Sequence, residues 1–242
     1  MLQGYYSAAT AMRTALQNQD ILAENLAHAP VTGYRRQGLS FEAYVAPSEP
    51  SSNAASAQSL HGTKLAQNYT TFTQGDYQHT GNPLELAIQG DGFFVLNGPN
   101  GPLYTRNGQF QLDINGQLVS HNGYAVNGSG GPLRIPQNTA TITVGQDGSV
   151  QAGETQVGQL RVVSFADPGQ LVRAGTTLFE APTGVRPQAS TASIRQGYRE
   201  GSNVQVVQEM VQMISGMRQY EAAAKALRSL SDVMQQRING QM

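Results

Sequence analysis

Both ends of this chain carry the apolar spacing of long amphipathic helices, and the sequence between them is punctuated by glycines. Near the C-terminus, apolar residues recur at alternating steps of four and three, broken only by Ser231: Val206, Met210, Met213, Met217, Tyr220, Ala224, Leu227, Met234 and Ile238. The N-terminus repeats the pattern, with Gln19 intruding, at Leu2, Tyr5, Ala9, Met12, Leu16, Ala23 and Leu26. This is the spacing of a coiled-coil seam. The two stripes predict helices that pair within one subunit and then between subunits.

We expect one set of apolar residues to form the seam through which the chain assembles: Leu16, Leu22, Leu26, Met210, Met213, Met217, Tyr220, Leu227 and Met234. The alternative for the methionines is the core of a helical hairpin inside one subunit. Assembly is favoured because the C-terminal helix would be roughly 55 Å long, more than a small β domain can cover. Methionine's unbranched side chain also adapts to neighbours that are not identical at every contact.

Composition favours β structure between the helices and excludes several classes of protein. Charged residues make up only 13% of the 242 residues and there are 27 glycines, which suits β structure with many turns. The net charge of −1 leaves no broad basic field for nucleic acid or for a membrane surface. Because the chain has no cysteine, disulfides, thiolate metal sites and a cysteine nucleophile are excluded.

Neither a membrane span nor a cleavable signal peptide is predicted. No segment reaches the roughly 18 consecutive apolar residues that indicate a transmembrane helix. The first residues lack the basic stretch and the continuous apolar stretch of a signal peptide. We therefore expect no membrane insertion, and we expect any export to use a route without cleavage.

Changes of pattern divide the chain into four segments. Residues 1–45 hold the first helix, over about 3–28, and an extended stretch, since Pro30 and Gly33 end the helix. Residues 46–68 are predicted to be a linker, because 47–59 (PSEPSSNAASAQS) offers little that can pack. Residues 69–189 form a central β domain. Residues 190–242 form the C-terminal helical segment, in which Ser202 and Gln205 have the spacing of a capping box.

Turn dipeptides cut the central segment into pieces of strand length. Asn-Gly and Asp-Gly begin at Asp91, Asn97, Asn100, Asn107, Asn115, Asn122, Asn127 and Asp147. Both dipeptides tolerate the positive φ of tight hairpins. Between them lie the predicted strands 84–89, 93–96, 109–113, 117–120, 141–144 and 158–165. The predicted class is α+β: long N- and C-terminal helices pair as a coiled-coil-like core, and short strands form a barrel-like or folded-sheet domain.

Several stretches together resemble the flagellar basal-body rod and hook proteins. They are residues 22–28 (LAENLAH), 32–35 (TGYR), 75–81 (GDYQHTG), 84–94 (LELAIQGDGFF), 104–110 (YTRNGQF), 116–119 (GQLV), 200–204 (EGSNV), 209–211 (EMV), 213–214 (MI) and 218–221 (RQYE). These blocks span nearly the whole chain in the family's order. The positions that carry the family's motifs are Asn25, Gly33, Tyr34, Gly92, Phe93, Asn203, Glu209 and Glu221.

The resemblance implies a structural subunit with no cofactor and no catalytic site. Members of the family leave the cytoplasm uncleaved through the flagellar type III export apparatus. They then stack into the rod that crosses the periplasm and transmits torque, with the terminal helices inside and the β domain outside. The implied partners are other rod and hook–basal-body subunits, further copies of the chain and the export apparatus. The length and the short linker fit a rod subunit rather than the hook protein. The longer glycine- and valine-containing segment that distal rod subunits carry before the β domain has no match here, which favours the proximal rod subunit.

Residue patterns that carry chemistry are weak throughout. The histidines, His28, His61, His79 and His121, have no metal-ligand partner at helical or hairpin spacing. Residues 128–131 (GSGG) lack the first glycine of a nucleophile elbow, and 90–92 (GDG) lack the third glycine of a dinucleotide loop. Residues 113–116 (DING) are predicted to be a hairpin turn rather than a calcium loop. Charged residues near the last helix, Glu200 among them, are expected to be solvated or paired along the helix.

Two other classes of function stay open at the level of sequence. One is a β-domain binding module, such as a surface carbohydrate binder, dimerised by its helices. A dimeriser needs only one coiled coil, however, and both termini here are amphipathic. The other is a hydrolase with scattered carboxylates such as Asp91, Asp113 and Asp147, all of which lie in turn motifs. The distal rod subunit, or another hook–basal-body structural protein, is the alternative within the family.

Overall fold

The chain forms two compact units, each assembled from separated segments. The structure is a computed structural model that describes residues 2–45, 60–136, 139 and 141–239. The helical unit comprises Met1–Ala27, Gln37–Thr70 and Gln205–Met242. The β unit comprises His28–Arg36 and Thr71–Val204. The predicted linker core, 47–59, lies outside the described residues.

The helical unit is built around two long helices, α1 (Leu2–Ala27) and α2 (Val206–Asn239). They run antiparallel, because Gly4 lies against the side chain of Leu230 while Asn25 bonds to Glu209. At 34 residues, α2 is about 51 Å long. No described helix carries a stretch long and apolar enough to span a bilayer.

The start of α2 differs from the predicted capping box. The Ser202 hydroxyl accepts a hydrogen bond from the backbone N–H of Val204 at 3.1 Å, so it closes a local turn rather than capping the helix. At the start of α2, the Glu209 N–H donates a hydrogen bond to the Gln205 carbonyl at 3.0 Å. The helix therefore begins one turn later than the spacing of Ser202 and Gln205 predicts.

A two-stranded ribbon completes the helical unit. It pairs β1 (Gln37–Val45) antiparallel with β2 (Leu60–Thr70), with register shifts between Ser40 and Phe41 and between Tyr44 and Val45. Residues 60–68, predicted to belong to a linker, are therefore strand. The ring of Tyr69 lies over Gly38, where a Cβ would stand 2.4 Å from the ring. Glycine at this position lets an aromatic side chain cross to the neighbouring strand.

Short antiparallel strands make up the β unit, as the turn dipeptides predicted. In chain order they are β3 (Tyr77–His79), β4 (Leu86–Gln89), β5 (Phe93–Gly98), β6 (Gly101–Thr105), β7 (Phe110–Leu112), β8 (Leu118–Ser120), β9 (Ala125–Gly128), β10 (Gly131–Pro132), β11 (Ile142–Val144), β12 (Ser149–Ala152), β13 (Thr155–Gln159), β14 (Val162–Ser164), β15 (Val172–Arg173), β16 (Leu178–Glu180), β17 (Gln188–Ala189), β18 (Ser193–Gln196) and β19 (Tyr198–Glu200). One short 3-10 turn, Pro168–Gln170, interrupts them.

The main sheet of the β unit has ten strands. Its path is β15-β16-β6-β5-β9-β8-β7, with β10 beside β9, β14 beside β5 and β17 beside β14. A three-stranded sheet, β11-β12-β13, and two pairs, β18-β4 and β19-β3, accompany it. The α+β class, with short strands in the centre and a helix at each end, is confirmed.

Two apolar clusters lie on the two faces of the central strand β5. Phe94 and Leu96 belong to the larger cluster, whereas Phe93 and Val95 belong to the smaller one. Successive side chains of a strand point to opposite faces, so an unbroken apolar run marks a strand buried on both sides. Each large apolar side chain buried here contributes about 1.5–3 kcal/mol.

The hairpin prediction for residues 113–116 agrees with the structure. The Asp113 carboxylate accepts hydrogen bonds from the backbone N–H groups of Asn115, at 2.8 Å, and Gln117, at 2.7 Å. Gly116 has φ of 73°, the conformation that glycine adopts without strain. The bond from Gln117 is the largest cause that holds the pKa of Asp113 below its usual range.

The last strands of the β unit lead to a prediction about fragments. A fragment limited to 69–189 lacks β18, which pairs with β4 and places Ile194 in the larger core, and it lacks Glu200. A fragment of 71–204 keeps all three, although it lacks residues 28–36 of the β unit and with them Arg35, so it should be less stable than the β unit of the full chain. We expect it to melt cooperatively, and we expect the shorter fragment to melt at least about 10 °C lower or to be unfolded. Thermal unfolding followed by circular dichroism measures this, and equal melting temperatures would show that these strands add nothing to the core.

Candidate functional site

The face of α2 that lies toward α1 is only partly the predicted seam. Glu209, near the start of α2, is 1% exposed and contacts Asn25, and Leu230, near its end, lies against Gly4. Between them, Met213, Tyr220 and Leu227 are half-buried. These residues follow one line along the helix at steps of three, four and seven.

A second apolar face of α2 is exposed in the chain as it stands. Its members, which we call the α2 stripe, are Val207, Met210, Val211, Ile214 and Met217, with exposed fractions of 74%, 46%, 61%, 54% and 48%. They occupy successive turns of the first half of the helix, so they form a contiguous patch. Contiguous exposed apolar surface of this kind marks an interaction site, whereas a single exposed apolar residue needs no explanation.

The structure separates the predicted seam residues into groups. On α1, Leu22 is buried and Leu26 half-buried, whereas Leu16 is 43% exposed. On α2, Met213, Tyr220 and Leu227 are half-buried. Met210 and Met217 belong to the α2 stripe, and the side chain of Met234 lies outside what the structure describes.

A buried polar cluster joins α1, β1 and α2 within the helical unit. The Asn25 side chain is fully buried, donates to the Gln37 carbonyl at 2.8 Å and accepts from the Gln37 N–H at 2.9 Å. It also donates to the Glu209 carboxylate at 3.3 Å. The single side-chain amide of Asn25 therefore forms hydrogen bonds both with the backbone of β1 and with a side chain of α2. Glu209 lies in the first turn of α2, where the helix dipole favours an anion.

A buried ionic cluster occupies the β unit. The Glu200 carboxylate is fully buried, pairs with Arg35, also fully buried, and lies 3.5 Å from Arg106, which is 4% exposed. The same carboxylate accepts from the Gly75 N–H at 3.1 Å, and the Glu200 carbonyl accepts from the Gly33 N–H at 2.8 Å. The expectation of a solvated Glu200 is wrong, because the residues that bury it come from distant parts of the sequence.

Asn203 connects three segments of the β unit. Its side-chain oxygen accepts from the Arg36 N–H at 2.7 Å, and its amide donates to the carbonyls of Thr71, at 2.8 Å, and Thr73, at 3.1 Å. The Thr71 N–H in turn donates to the Arg36 carbonyl at 2.9 Å. Arg36, Thr71 and Val204 are three of the four residues at which a segment of the β unit begins or ends, and His28 is the fourth.

Replacing Asn203 by alanine tests whether this side chain fixes those segments. The change removes the acceptor for the Arg36 N–H and the donor for two carbonyls. We expect the free energy of unfolding to fall by about 1–3 kcal/mol. Urea unfolding of the full chain measures it, with Gln151→Ala, on an exposed position of β12, as the control. An effect no larger than that of the control would mean that water replaces these bonds without loss.

All but one of the remaining positions that carry the family's motifs have a role that the structure explains. Gly33 has φ of 72°, and a Cβ there would stand 2.4 Å from the Asn107 nitrogen. Tyr34 is fully buried, with the Arg173 guanidinium 5.0 Å from its ring centre. A Cβ at Gly92 would stand 2.7 Å from Val162, and Phe93 is 3% exposed in the smaller core. Glu221 is exposed, and nothing in the structure explains it.

Comparisons with known proteins bear on the same segments. A family model described as "Flagellar hook protein FlgE/F/G D1 domain" matches residues 87–152, and one described as "Flagellar basal body rod FlgEFG protein C-terminal" matches 195–240. The chain is 30% identical to flagellar basal-body rod protein FlgG of Bacillus subtilis (strain 168), with 99% of each chain covered. It is 33% identical to flagellar basal-body rod protein FlgF of Caulobacter vibrioides, covering 94% of this chain and 93% of the relative. The chain belongs to the flagellar basal-body rod protein family.

Membership of the rod family makes the chain a structural subunit of the flagellar basal body and not an enzyme. The resemblance stated from the motifs is thereby confirmed. The second matched segment contains Glu200, Asn203, Glu209 and the whole α2 stripe. The family's C-terminal region thus contributes Glu209 and Glu200 to the two buried clusters and contains the whole exposed apolar face.

The carboxylates considered for hydrolysis serve turns in this rod protein. Asp147 accepts from the Ser149 hydroxyl at 2.7 Å and from the Ser149 N–H at 3.1 Å. The hydroxyl bond is the main cause that holds the pKa of Asp147 below its usual range. Within the described residues, no cluster of three or more histidine, aspartate or glutamate side chains could hold a metal ion.

Proposed function

We propose that this rod subunit assembles with copies of itself and with other rod subunits by burying the α2 stripe against a neighbouring helical unit. The single observation that carries the proposal is the exposed, contiguous apolar surface of Val207, Val211 and Ile214 on a helix whose other face lies toward α1. Burying one such side chain contributes about 1.5–3 kcal/mol, so five together can hold a subunit in place.

The antiparallel pair of α1 and α2 is, in this proposal, the coiled-coil-like element that stacks in the rod. The half-buried Met213, Tyr220 and Leu227 keep the pair together inside one subunit. The α2 stripe, in which two of the five residues are methionines, then contacts the next subunit. Flexible methionine side chains suit contacts that differ around a helical stack.

Torque transmission requires that a subunit does not yield under load. The bonds of Asn203 hold Arg36 and Thr71 together, and Arg35 pairs with Glu200. We propose that these buried bonds stiffen the β unit. Export through the flagellar type III apparatus without cleavage, and a place in the rod across the periplasm, are part of the same proposal.

Alignment lengths support the proximal member, which the sequence favoured. The alignment to FlgG of Bacillus subtilis extends over 262 positions, more than the 242 residues of this chain, and the alignment to FlgG of Buchnera aphidicola subsp. Schizaphis graminum has the same length. The alignments to the FlgF proteins of Caulobacter vibrioides and Mesorhizobium japonicum extend over 231 and 232 positions. The FlgF alignments therefore need fewer added positions than the FlgG alignments, over 94% of this chain. We propose a subunit of the FlgF kind.

Deletion of the gene and purification of the hook–basal body together test the assignment of this chain to the rod. Removing the gene should abolish swimming, and returning it should restore swimming. The chain, detected by antibody in restored cells, should purify with the hook–basal body after membranes are dissolved. Motile deletion cells, or a chain absent from basal bodies of restored cells, would contradict the proposal.

A further inference from the structure

A groove crosses the β unit at β14, where two cavities adjoin. The first has a volume of about 390 Å³ and the second about 310 Å³, and they share Arg161, Val163 and Pro187. The groove thus runs on both sides of Arg161. All of its lining residues belong to the β unit, so it is separate from the α2 stripe.

Arg161 supplies an uncompensated positive charge at the centre of the groove. Its side chain is exposed, and among the described residues it has neither an ion pair nor a side-chain hydrogen bond. Its backbone is fixed, because the Arg161 N–H donates to the Asn127 carbonyl at 3.1 Å. The positive charge acts on the adjacent Tyr104 by lowering a phenol pKa that burial raises. An exposed guanidinium without an ion pair is suited to a carboxylate, which it can bind through two parallel hydrogen bonds.

The two cavities beside Arg161 differ in chemistry. The first is walled by apolar side chains that include Val95, Tyr104 and Val185. The second offers small polar groups, among them Ser129, Gln159 and Ser190. The first therefore accepts an apolar side chain, and the second a small polar one.

Each cavity also has one negatively charged residue in its lining. Glu180 lines the first cavity, and Asp147 lines the second. A ligand with a single central carboxylate is attracted by Arg161. A ligand with further acidic groups at its ends would meet Glu180 and Asp147 and be repelled.

The second cavity also borders an open strand. Gln188 and Ala189, which form β17, are both exposed and line this cavity. Within the described residues, β17 pairs only with β14. An exposed strand edge can accept a further extended segment through backbone hydrogen bonds.

We propose that this groove binds an extended segment of a partner protein in which one acidic residue has an apolar residue two positions to one side and a small polar residue two positions to the other. In an extended chain such residues point to the same face, about 6.6 Å apart. The acidic side chain pairs with Arg161, and its neighbours enter the two cavities. The proposal is independent of the α2 stripe and does not require it.

The test uses the full chain and the peptide Ac-Gly-Val-Thr-Glu-Thr-Ser-Gly-NH2. Alanine methyl groups labelled with carbon-13 report binding, since Ala181 lines the first cavity and Ala189 and Ala192 line the second. We expect these methyl signals to shift and to saturate, while that of Ala125 in β9 stays in place. A peptide with glutamine in place of glutamate should bind at least about tenfold more weakly.

Variants of Arg161 separate charge pairing from general adhesion. Arg161→Gln should remove the preference for glutamate over glutamine, and Arg161→Glu should prefer a peptide with lysine at the central position. Arg134→Gln, exposed elsewhere on the β unit, should bind like the parent chain. The proposal is overturned if the methyl groups do not shift at about 2 mM peptide. It is equally overturned if glutamate and glutamine peptides bind alike.

Discussion

Cells whose only copy of this rod protein carries Val211→Glu and Ile214→Glu are expected to lose swimming and to leave the subunit out of the basal body. The two carboxylates stand one turn apart in the middle of the α2 stripe, and burying an unpaired carboxylate costs more than the apolar contact contributes. Because both side chains are exposed in the chain itself, the thermal unfolding of the purified protein should be nearly unchanged. Swimming on soft agar and immunoblots of purified basal bodies measure the effect.

The matched control adds the same charge to another face of α2. Gln208 and Gln219 are exposed and lie off the stripe, so Gln208→Glu with Gln219→Glu should be tolerated. Normal swimming by the stripe variant would show that the α2 stripe is not part of the assembly interface. Loss of swimming in both variants would show that α2 tolerates no added charge, and the stripe would have no special part.

Replacing Glu200 by glutamine is expected to destabilise the β unit by about 3–5 kcal/mol, the usual cost of removing one partner from a buried ion pair. Glutamine keeps the shape of the side chain but leaves Arg35 and Arg106 buried without their counter-charge. In a protein of this size that loss lowers the melting temperature by roughly 10–15 °C. Differential scanning calorimetry of the full chain measures the shift.

The control for this prediction is Glu154→Gln, at an exposed position between β12 and β13. This control changes the net charge by the same amount. It should change the free energy of unfolding by no more than a few tenths of a kcal/mol. If Glu200→Gln melted like this control, the buried pair would not stabilise the β unit. The proposal that buried bonds stiffen the β unit would then lose its main support.

The sequence pattern predicted those parts of the fold that depend on residues close together in the chain. Positive φ is a property of the turn itself, and four of the eight Asn-Gly and Asp-Gly dipeptides end in a glycine of positive φ: Gly101, Gly116, Gly123 and Gly148. Two others, Asn97-Gly98 and Asn127-Gly128, lie at the ends of strands β5 and β9 instead. The unbroken run 93–96 located a strand because burial on both faces leaves no polar position. The periodic stripes predicted the first residue of α1 and the last residue of α2 to within one residue.

Features that depend on distant partners were not visible in the sequence. Strand β2 carries no alternating pattern over most of its length and is held by the backbone of β1, so it was predicted to be linker. Glu200 was predicted to be solvated because its partners, Arg35 and Arg106, are far away in the chain. Glu209 lies on the face of α2 toward α1, and a search for apolar spacing passes over a glutamate. The hydrogen-bonding Asn25 was indicated only by the family motif, not by any property of the helix.

Site-specific photocrosslinking in assembled rods tests the central claim most directly. A photoreactive benzophenone amino acid at Val211, the middle of the α2 stripe, should yield covalent products between this chain and a rod subunit, either a second copy or a neighbouring kind, in purified basal bodies. The same group at Gln219, off the stripe, should yield far less. Crosslinks at Gln219 but not at Val211, in basal bodies that contain both variants, would contradict assembly through this face.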